Sequence, residues 1–342
     1  MRPLLRWLAL SSLLLAAAPA SAAVSLQRAV GSTVMTALAG PPRASFLARV
    51  RDGDVGGVIL VGRWQSTAQM AQVTRTLQTA ACERGSPLLI AVDQEGGYAR
   101  RLPWAAPAET AGELAGLGTA HAETEARAAA AALRRAGIDI DLAPVTDTRL
   151  VQDSFLGSRA FSSDPSLVGR FAAAFVRGLQ AGGVAATAKH FPGLGAATAN
   201  TDDHAVSVRD TRLQPFRSAI AAGVRLVMVS NASYPRLDGS NRPAVFSHTI
   251  VTGLLRRALG FGGVVVTDAL DAPTPAATPH APARAIEAGV DLLLYTSGSA
   301  ADRGYASLLE DATASARVRT QVVAASARIQ GLKDWLGKRC GS

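Results

Sequence analysis

The sequence predicts a single α/β domain, a (β/α)8 barrel of the TIM type, and three observations support this prediction. Eight short runs of aliphatic residues recur along the chain, and a helix-compatible segment follows each of them. Glycine precedes several of these runs, as expected where one helix ends and the next strand begins. The chain has 342 residues, 48% of them hydrophobic, which is enough for eight βα units around one core.

The predicted strands are nearly continuous in Val, Ile, Leu and Ala, as expected for a parallel sheet that is covered on both faces. They are Thr33–Leu38, Gly57–Val61, Leu88–Val92, Ile138–Ala143, Val184–Lys189, Arg225–Ser230, Val264–Thr267 and Leu292–Tyr295. Alanine-rich segments between them predict helices, and a last helix is predicted over Ser307–Trp335. An open, doubly wound sheet is the alternative fold. Against it, no Gly-x-Gly-x-x-Gly pattern opens the first helix.

The first 22 residues predict a secretory signal peptide rather than part of the fold. Arg2 and Arg6 form a positive start, Leu8–Ala18 is a short apolar segment, and Ala20-Ser21-Ala22 resembles a cleavage site. We therefore expect residues 23–342 to form one exported domain that is secreted or associated with the cell envelope.

The chain is basic, with a formal net charge of +9, and loss of Arg2 and Arg6 would leave +7. No basic stripe is interleaved with aromatic residues, so the pattern argues against nucleic-acid binding. We expect instead an electrostatic attraction to an anionic surface such as a cell wall, and a monomer. The two cysteines, Cys82 and Cys340, could form one disulfide in an exported protein, but sequence alone leaves this pairing open.

Polar residues stand where the predicted strands end. Asp93 follows the third strand, Lys189-His190 ends the fifth, Asn231 follows the sixth, and Asp268 follows the seventh. The carboxyl ends of barrel strands share one rim, so these side chains are expected to meet in one pocket.

The stretch Thr187–His204 is the centre of this predicted pocket. It joins the fifth strand to a glycine-containing loop that carries Asp202 and His204. The chain has no phosphate-binding loop and no metal-ligand spacing, so we expect neither a cofactor nor a metal. Several carboxylates with cations and imidazoles suit a carbohydrate, because glycoside hydrolysis needs a carboxylate at the anomeric carbon and a proton donor.

Four segments together resemble glycoside hydrolase family 3, and in particular its single-domain bacterial β-N-acetylglucosaminidases. Ala91–Leu102 is similar to the family signature DQEGG-x-x-x-RL, and Ala188–Gly195 (AKHFPGLG) is similar to KHFPGHG. Asp141–Phe161 resembles the segment from the fourth strand to a G-x-R-x-F turn, and Gly262–Leu270 resembles the nucleophile strand. The resemblance covers nearly all of the mature chain.

The resemblance implies roles for individual residues. Asp268 would be the nucleophile of a retaining reaction, and His204 would be the acid/base, oriented by Asp202. The terminal N-acetylglucosamine would contact four residues: Asp93, Arg159, Lys189 and His190. We interpret Glu95 as a residue that ties the following glycine turn, and we leave Asp147, Asn231 and Tyr234 out of the predicted site.

Two departures from the family pattern keep alternatives open. Leu194 stands where the family has a second histidine, and the loop from Gly195 to Asp202 is about two residues longer than usual. The alternatives are a β-glucosidase-like member, or a non-catalytic barrel that binds sugar or cell wall without an effective acid/base.

Overall fold

The computed structural model describes residues 25–62 and 64–341, so the predicted signal peptide lies outside the described residues. It contains eight parallel strands in one sheet. They are β1 Val34–Leu38, β2 Gly57–Leu60, β3 Leu89–Val92, β4 Ile140–Asp141, β5 Ala185–Phe191, β6 Leu226–Val229, β7 Val264–Thr267 and β8 Leu293–Tyr295.

The sheet closes into a barrel. Each strand pairs with the next in chain order, and β1 also pairs with β8 through Val34 opposite Leu293. A bridge between Val266 and Leu292 joins β7 to β8, which completes the ring. The predicted (β/α)8 barrel is therefore confirmed, and the open sheet is excluded.

Helices surround the barrel. The α-helices are Leu26–Ser32, Ala44–Asp52, Thr67–Cys82, Ala111–Leu117, Thr119–Arg135, Pro165–Ala181, Gln214–Ala221, Pro235–Asp238, Pro273–Ala276, Ala281–Ala288, Gly298–Ala314 and Ala316–Trp335. The regular structure also includes two short 3₁₀ turns, Gly157–Arg159 and Ala244–Phe246, and a π-helix, Thr249–Ala258. After β3, Gln94–Gly96 and Ala99–Arg100 pair as a short antiparallel hairpin outside the barrel sheet. In the described part of the chain, no helix is both long and apolar enough to cross a membrane.

The C-terminal helical region differs from its prediction. Two helices meet at Ser315, whose side chain accepts a hydrogen bond from the Val318 backbone NH and so caps the second helix. A serine at an N-cap accepts a hydrogen bond from a backbone NH in the first turn of a helix, where that NH has no partner within the helix. A new helix therefore begins after Ser315. The prediction of one helix over Ser307–Trp335 was therefore wrong at this point.

Alternation along the strands creates two apolar layers. Val264 and Val266 of β7 point into the barrel, whereas Val265 packs outward against the helices. At the amino end of the strands, the barrel interior is filled by Leu332 of the last helix and by Leu336, which follows that helix. This filling leaves the opposite, carboxyl end of the strands for a cavity.

A disulfide joins Cys82, at the end of a helix, to Cys340 in the C-terminal tail. The Cα atoms are 5.3 Å apart, and 258 positions of sequence separate the two residues. Nearby, Lys338 contacts the buried carboxylate of Asp139 at 2.6 Å. The pairing that the sequence left open is thus present, and it fixes the tail against the barrel.

The fifth strand is longer than predicted and irregular at its end. It extends to Phe191 rather than ending at Lys189, so His190 also lies inside the strand. A register shift between Ala188 and Phe191 interrupts its pairing with β6. Such irregularities redirect side chains near active sites. Here the shift lies where the Lys189 and His190 side chains reach the cavity.

Candidate active site

A cavity of about 340 Å³ opens at the carboxyl ends of the barrel strands. Asp93 follows β3 and Asp268 follows β7, and these strands lie four positions apart in the closed ring. The two carboxylates therefore approach the cavity from opposite sides of the barrel. The predicted site residues that line it are Asp93, Arg159, Lys189, His190, Asp202 and Asp268.

A cluster of ion pairs forms one side of the cavity. The Lys189 ammonium contacts Asp93 at 2.8 Å and Glu95 at 2.5 Å. The Arg159 guanidinium donates two hydrogen bonds of 2.8 Å to the Glu95 carboxylate, one from Nε to Oε2 and one from Nη2 to Oε1. We call these four residues the ion cluster. Both of its cations line the cavity, and cationic hydrogen-bond donors of this kind suit sugar hydroxyls.

Glu95 has a larger part in this site than its sequence interpretation gave it. It is 7% exposed and lines the cavity, and its carboxylate binds both cations of the ion cluster. Burial alone would raise the pKa of Glu95, but Lys189 and Arg159 outweigh burial and lower it to about 2. Its main contacts are therefore with these cations rather than with the glycine turn.

The Lys189 and Arg159 side chains stay charged in this environment. Burial acts to lower the pKa of Lys189, but the Asp93 and Glu95 carboxylates reverse this and raise it. Burial likewise opposes the charge on Arg159, and Glu95 raises its pKa. Opposite charges at hydrogen-bond distance thus keep both cations available to a ligand.

Asp147 orients His190, a role that the sequence prediction omitted. One oxygen of this fully buried carboxylate lies 2.8 Å from the His190 ring Nδ1 and accepts the His190 backbone NH at 3.0 Å. Its other oxygen accepts the Leu194 backbone NH at 2.6 Å. The imidazole is thereby held with its other edge toward the cavity, and the start of the loop is fixed to the same carboxylate.

Asp268 projects from the end of β7 with one oxygen anchored. Its Oδ1 accepts the Ala269 backbone NH at 2.9 Å, and its Oδ2 lies 3.5 Å from the Thr201 hydroxyl. The next helix begins at Pro273, so Asp268 is not a helix cap. A carboxylate with one oxygen held by the backbone and the other turned to the cavity has the geometry of a nucleophile.

The loop after β5 brings Asp202 into the cavity but leaves His204 outside it. Burial and the nearby Asp268 raise the pKa of Asp202 to about 6. The backbone NH of His204 donates to the Asn200 carbonyl, and its ring is exposed and does not line the cavity. Within the described residues, no hydrogen bond joins the His204 ring to Asp202.

The start of this loop is pressed against a neighbouring segment. A Cβ at Gly195 would lie 1.7 Å from the Thr148 carbonyl oxygen, so only glycine fits there. The Leu150 backbone NH also donates to the Gly195 carbonyl at 3.0 Å. The loop is therefore anchored at its beginning, while residues 203–205 near its end are exposed.

The sequence reasoning missed a further cavity residue, Arg101, and its expectation that Asn231 would reach the pocket was wrong. Arg101 lines the cavity, and its buried Nε has no hydrogen-bond partner among the described residues. It belongs to the RL pair of the quoted DQEGG motif, a signal that was available. Asn231 and Tyr234 are buried and are not among the lining residues. The Asn231 side chain instead donates to the Ala269 carbonyl at 2.7 Å, just after the end of β7.

Comparisons with known proteins agree with this architecture. Residues 31–332 match the family described as glycosyl hydrolase family 3 N terminal domain. The chain is 36% identical over 264 residues to a β-hexosaminidase of Nitrosomonas eutropha, covering 70% of this chain and 73% of the relative. It is 34% identical over 345 residues to an uncharacterized secreted glycosyl hydrolase of Arthroderma benhamiae, covering 94% and 97%.

Solved structures give the same result. A glycoside hydrolase family 3 β-N-acetylglucosaminidase from Paenibacillus sp. str. FPU-7 superposes with a TM-score of 0.86 at 32% identity, covering 92% of this chain and 63% of that chain. A β-N-acetylhexosaminidase from Beutenbergia cavernae has a TM-score of 0.82 at 33% identity, covering 92% and 100%. The chain therefore belongs to glycoside hydrolase family 3, and it is a glycoside hydrolase.

Proposed function

We propose that this protein is an exported, retaining β-N-acetylglucosaminidase that removes terminal β-linked N-acetylglucosamine from cell-wall fragments or related glycosides. The observation that carries the proposal is the placement of Asp268 opposite the ion cluster in one cavity. The printed names of the relatives, β-hexosaminidase and β-N-acetylglucosaminidase, support the choice of sugar.

The sugar would be held by the ion cluster and its neighbour. Lys189 and Arg159 donate to adjacent ring hydroxyls, Asp93 accepts from hydroxyls, and the free edge of His190 makes a further polar contact. These groups are already oriented by Glu95 and Asp147, so little side-chain entropy is lost when the sugar binds.

In the first chemical step, Asp268 Oδ2 attacks the anomeric carbon as the glycosidic C–O bond breaks. The bonding electrons go to the leaving oxygen, which takes a proton from the His204 imidazolium. In the second step, His204 takes a proton from water, and the water oxygen displaces Asp268 from the anomeric carbon. Two displacements retain the configuration of the sugar.

This assignment requires movement of the loop that carries His204. The Asp202 carboxyl lies in the cavity, and His204 stands two residues further on, at the exposed side of the turn. Rotation of this turn would carry the imidazole toward the scissile oxygen and allow Asp202 to orient it. A carboxylate beside an imidazole stabilises the imidazolium and fixes its tautomer.

The test compares hydrolysis of p-nitrophenyl β-N-acetylglucosaminide with that of the β-glucoside. We expect the first to be cleaved faster, with the β-anomer of N-acetylglucosamine appearing first by NMR. Asp268→Asn should lower kcat by about 10³-fold or more, because the amide is a poor nucleophile. Preference for the glucoside would reassign the protein as β-glucosidase-like, and the α-anomer as first product would refute the retaining mechanism.

Leu194 in place of a histidine and the exposed position of His204 are the two features that depart from a complete acid/base in this member of the family. Loss of turnover with sugar binding retained would show as binding of cell-wall glycan without hydrolysis of any aryl glycoside, and Asp268→Ala would then leave that binding intact.

A further inference from the structure

A fully buried carboxyl group lies beneath the cavity at the end of β4. Asp141 is 0% exposed, and it does not line the cavity. Its Oδ1 accepts the Gln94 backbone NH at 3.0 Å. Its Oδ2 is buried without a hydrogen-bond partner in the described part of the chain. An ionised carboxylate with an unsatisfied buried oxygen would be costly, whereas a neutral carboxyl is far less so.

The charges that face Asp141 come from the two neighbouring strands. Asp93 and Glu95 follow β3, which pairs with β4 through Val92 opposite Asp141. Lys189 comes from β5, which pairs with β4 through Ala186 opposite Asp141. The ion cluster already contains two carboxylates and two cations, so its charges cancel. An ionised Asp141 would leave one uncompensated negative charge in the barrel.

The raised pKa of Asp141 agrees with this balance of charges, which favours the neutral carboxyl group. Burial is the largest effect and raises the pKa of Asp141 to about 8. The Gln94 backbone NH and Lys189 act against burial, while the negative Asp93 and Glu95 act with it.

We propose that Asp141 is a positioning residue that stays protonated in the working enzyme and keeps the ion cluster electrically neutral. Ionisation would place a third negative charge beside Lys189 and would draw its ammonium away from Asp93 and from a bound sugar. The consequence for sugar binding rests on the proposed function, whereas the protonation state does not.

The first test is the pH dependence of folding stability. Asp141 is protonated in the folded protein up to a pH of about 8, but in the unfolded chain it ionises near pH 4. Folding therefore takes up a proton between these values, and stability falls as pH rises through this window. Asp141→Asn keeps the shape of the carboxyl group and removes this dependence.

Urea denaturation should show that Asp141→Asn is more stable than wild type at pH 7.5, with the gain shrinking toward pH 4.5. The matched variant Glu95→Gln, at the ionised neighbour, should change stability in the opposite direction. An Asp141→Asn protein that is less stable than wild type at pH 7.5, or that fails to fold, would mean that the native carboxylate is ionised and paired with Lys189, and it would overturn the proposal.

The second test measures N-acetylglucosamine affinity by calorimetry between pH 7 and pH 9. With a pKa of about 8, the protonated fraction of Asp141 falls from about 0.9 at pH 7 to about 0.09 at pH 9, so wild-type affinity should fall about tenfold. Asp141→Asn should lack this decline, and an identical decline in both proteins would refute the proposal. If N-acetylglucosamine binds at no pH, the proposed function fails, and the stability measurement still decides the state of Asp141.

Discussion

Removal of the Glu95 charge should lower the free energy of unfolding by an amount that follows from the interactions of Glu95 with Lys189 and Arg159. Lys189 and Arg159 hold the pKa of Glu95 at about 2 instead of 4.5. Each pKa unit corresponds to about 1.4 kcal/mol, so ionised Glu95 contributes about 3 kcal/mol at pH 7. Glu95→Gln mimics the protonated group and should lose about this amount, because two buried cations lose their shared anion.

The sign of the pH dependence makes this prediction specific. The folded pKa of Glu95 is lowered, so its stabilisation is complete above pH 4.5 and disappears as pH falls toward 2. Urea denaturation should therefore show a gap between wild type and Glu95→Gln of about 3 kcal/mol at pH 7 and about 1 kcal/mol at pH 3.

The control for this experiment is Glu310→Gln, at an exposed helical position, which should behave as wild type. A gap of equal size at both pH values would show that the loss comes from packing rather than from charge. Hydrolysis offers a second readout, since misplacement of Lys189 and Arg159 should raise KM more than it lowers kcat.

Three further predictions concern the disulfide, the orientation of His190 and the loop that carries His204. Replacement of Cys82 and Cys340 by serine removes a cross-link over 258 positions, which the chain-entropy model values at about 5.6 kcal/mol, so the urea midpoint should fall. A reductant should lower the wild-type midpoint and leave the variant unchanged. Asp147→Asn removes an acceptor from His190 and should raise KM about tenfold or more, whereas exposed Asp153→Asn should not; equal KM values would exclude the orienting role. His204→Ala should lower kcat about 10²- to 10⁴-fold for glycosides with poor leaving groups and much less for dinitrophenyl glycosides, and a uniform loss would argue against proton donation.

The barrel could be predicted because its signals are local. β7 was predicted with the observed bounds, Val264–Thr267. Its apolar run begins directly after two glycines and ends before Asp268, so both ends of the strand are marked in the sequence. The fourth strand was predicted as Ile138–Ala143 but pairs regularly only at Ile140–Asp141. Its neighbours determine how far the ladder extends, and the sequence of one strand does not contain that information.

The candidate site was predictable as a set of residues but not as a network. Asp93, Lys189 and Asp268 were recognised because polar groups at strand ends break the apolar pattern. Glu95 and Asp147 were not assigned to it, because their importance lies in contacts with Arg159 and His190, which are 64 and 43 positions away. Ion pairs between distant segments form only when the closed barrel brings strand ends together.

The sequence by itself thus determined the number of βα units, the end of the barrel at which the polar groups gather and the family of the chain. These properties follow from periodicity and from short motifs, which each act within a few residues. Tertiary structure alone decided which charges pair, that Asp141 is buried beside them, that His204 lies outside the cavity and that Cys82 meets Cys340. Those outcomes depend on distances and burial, because electrostatic and desolvation energies arise only when separate segments are packed together.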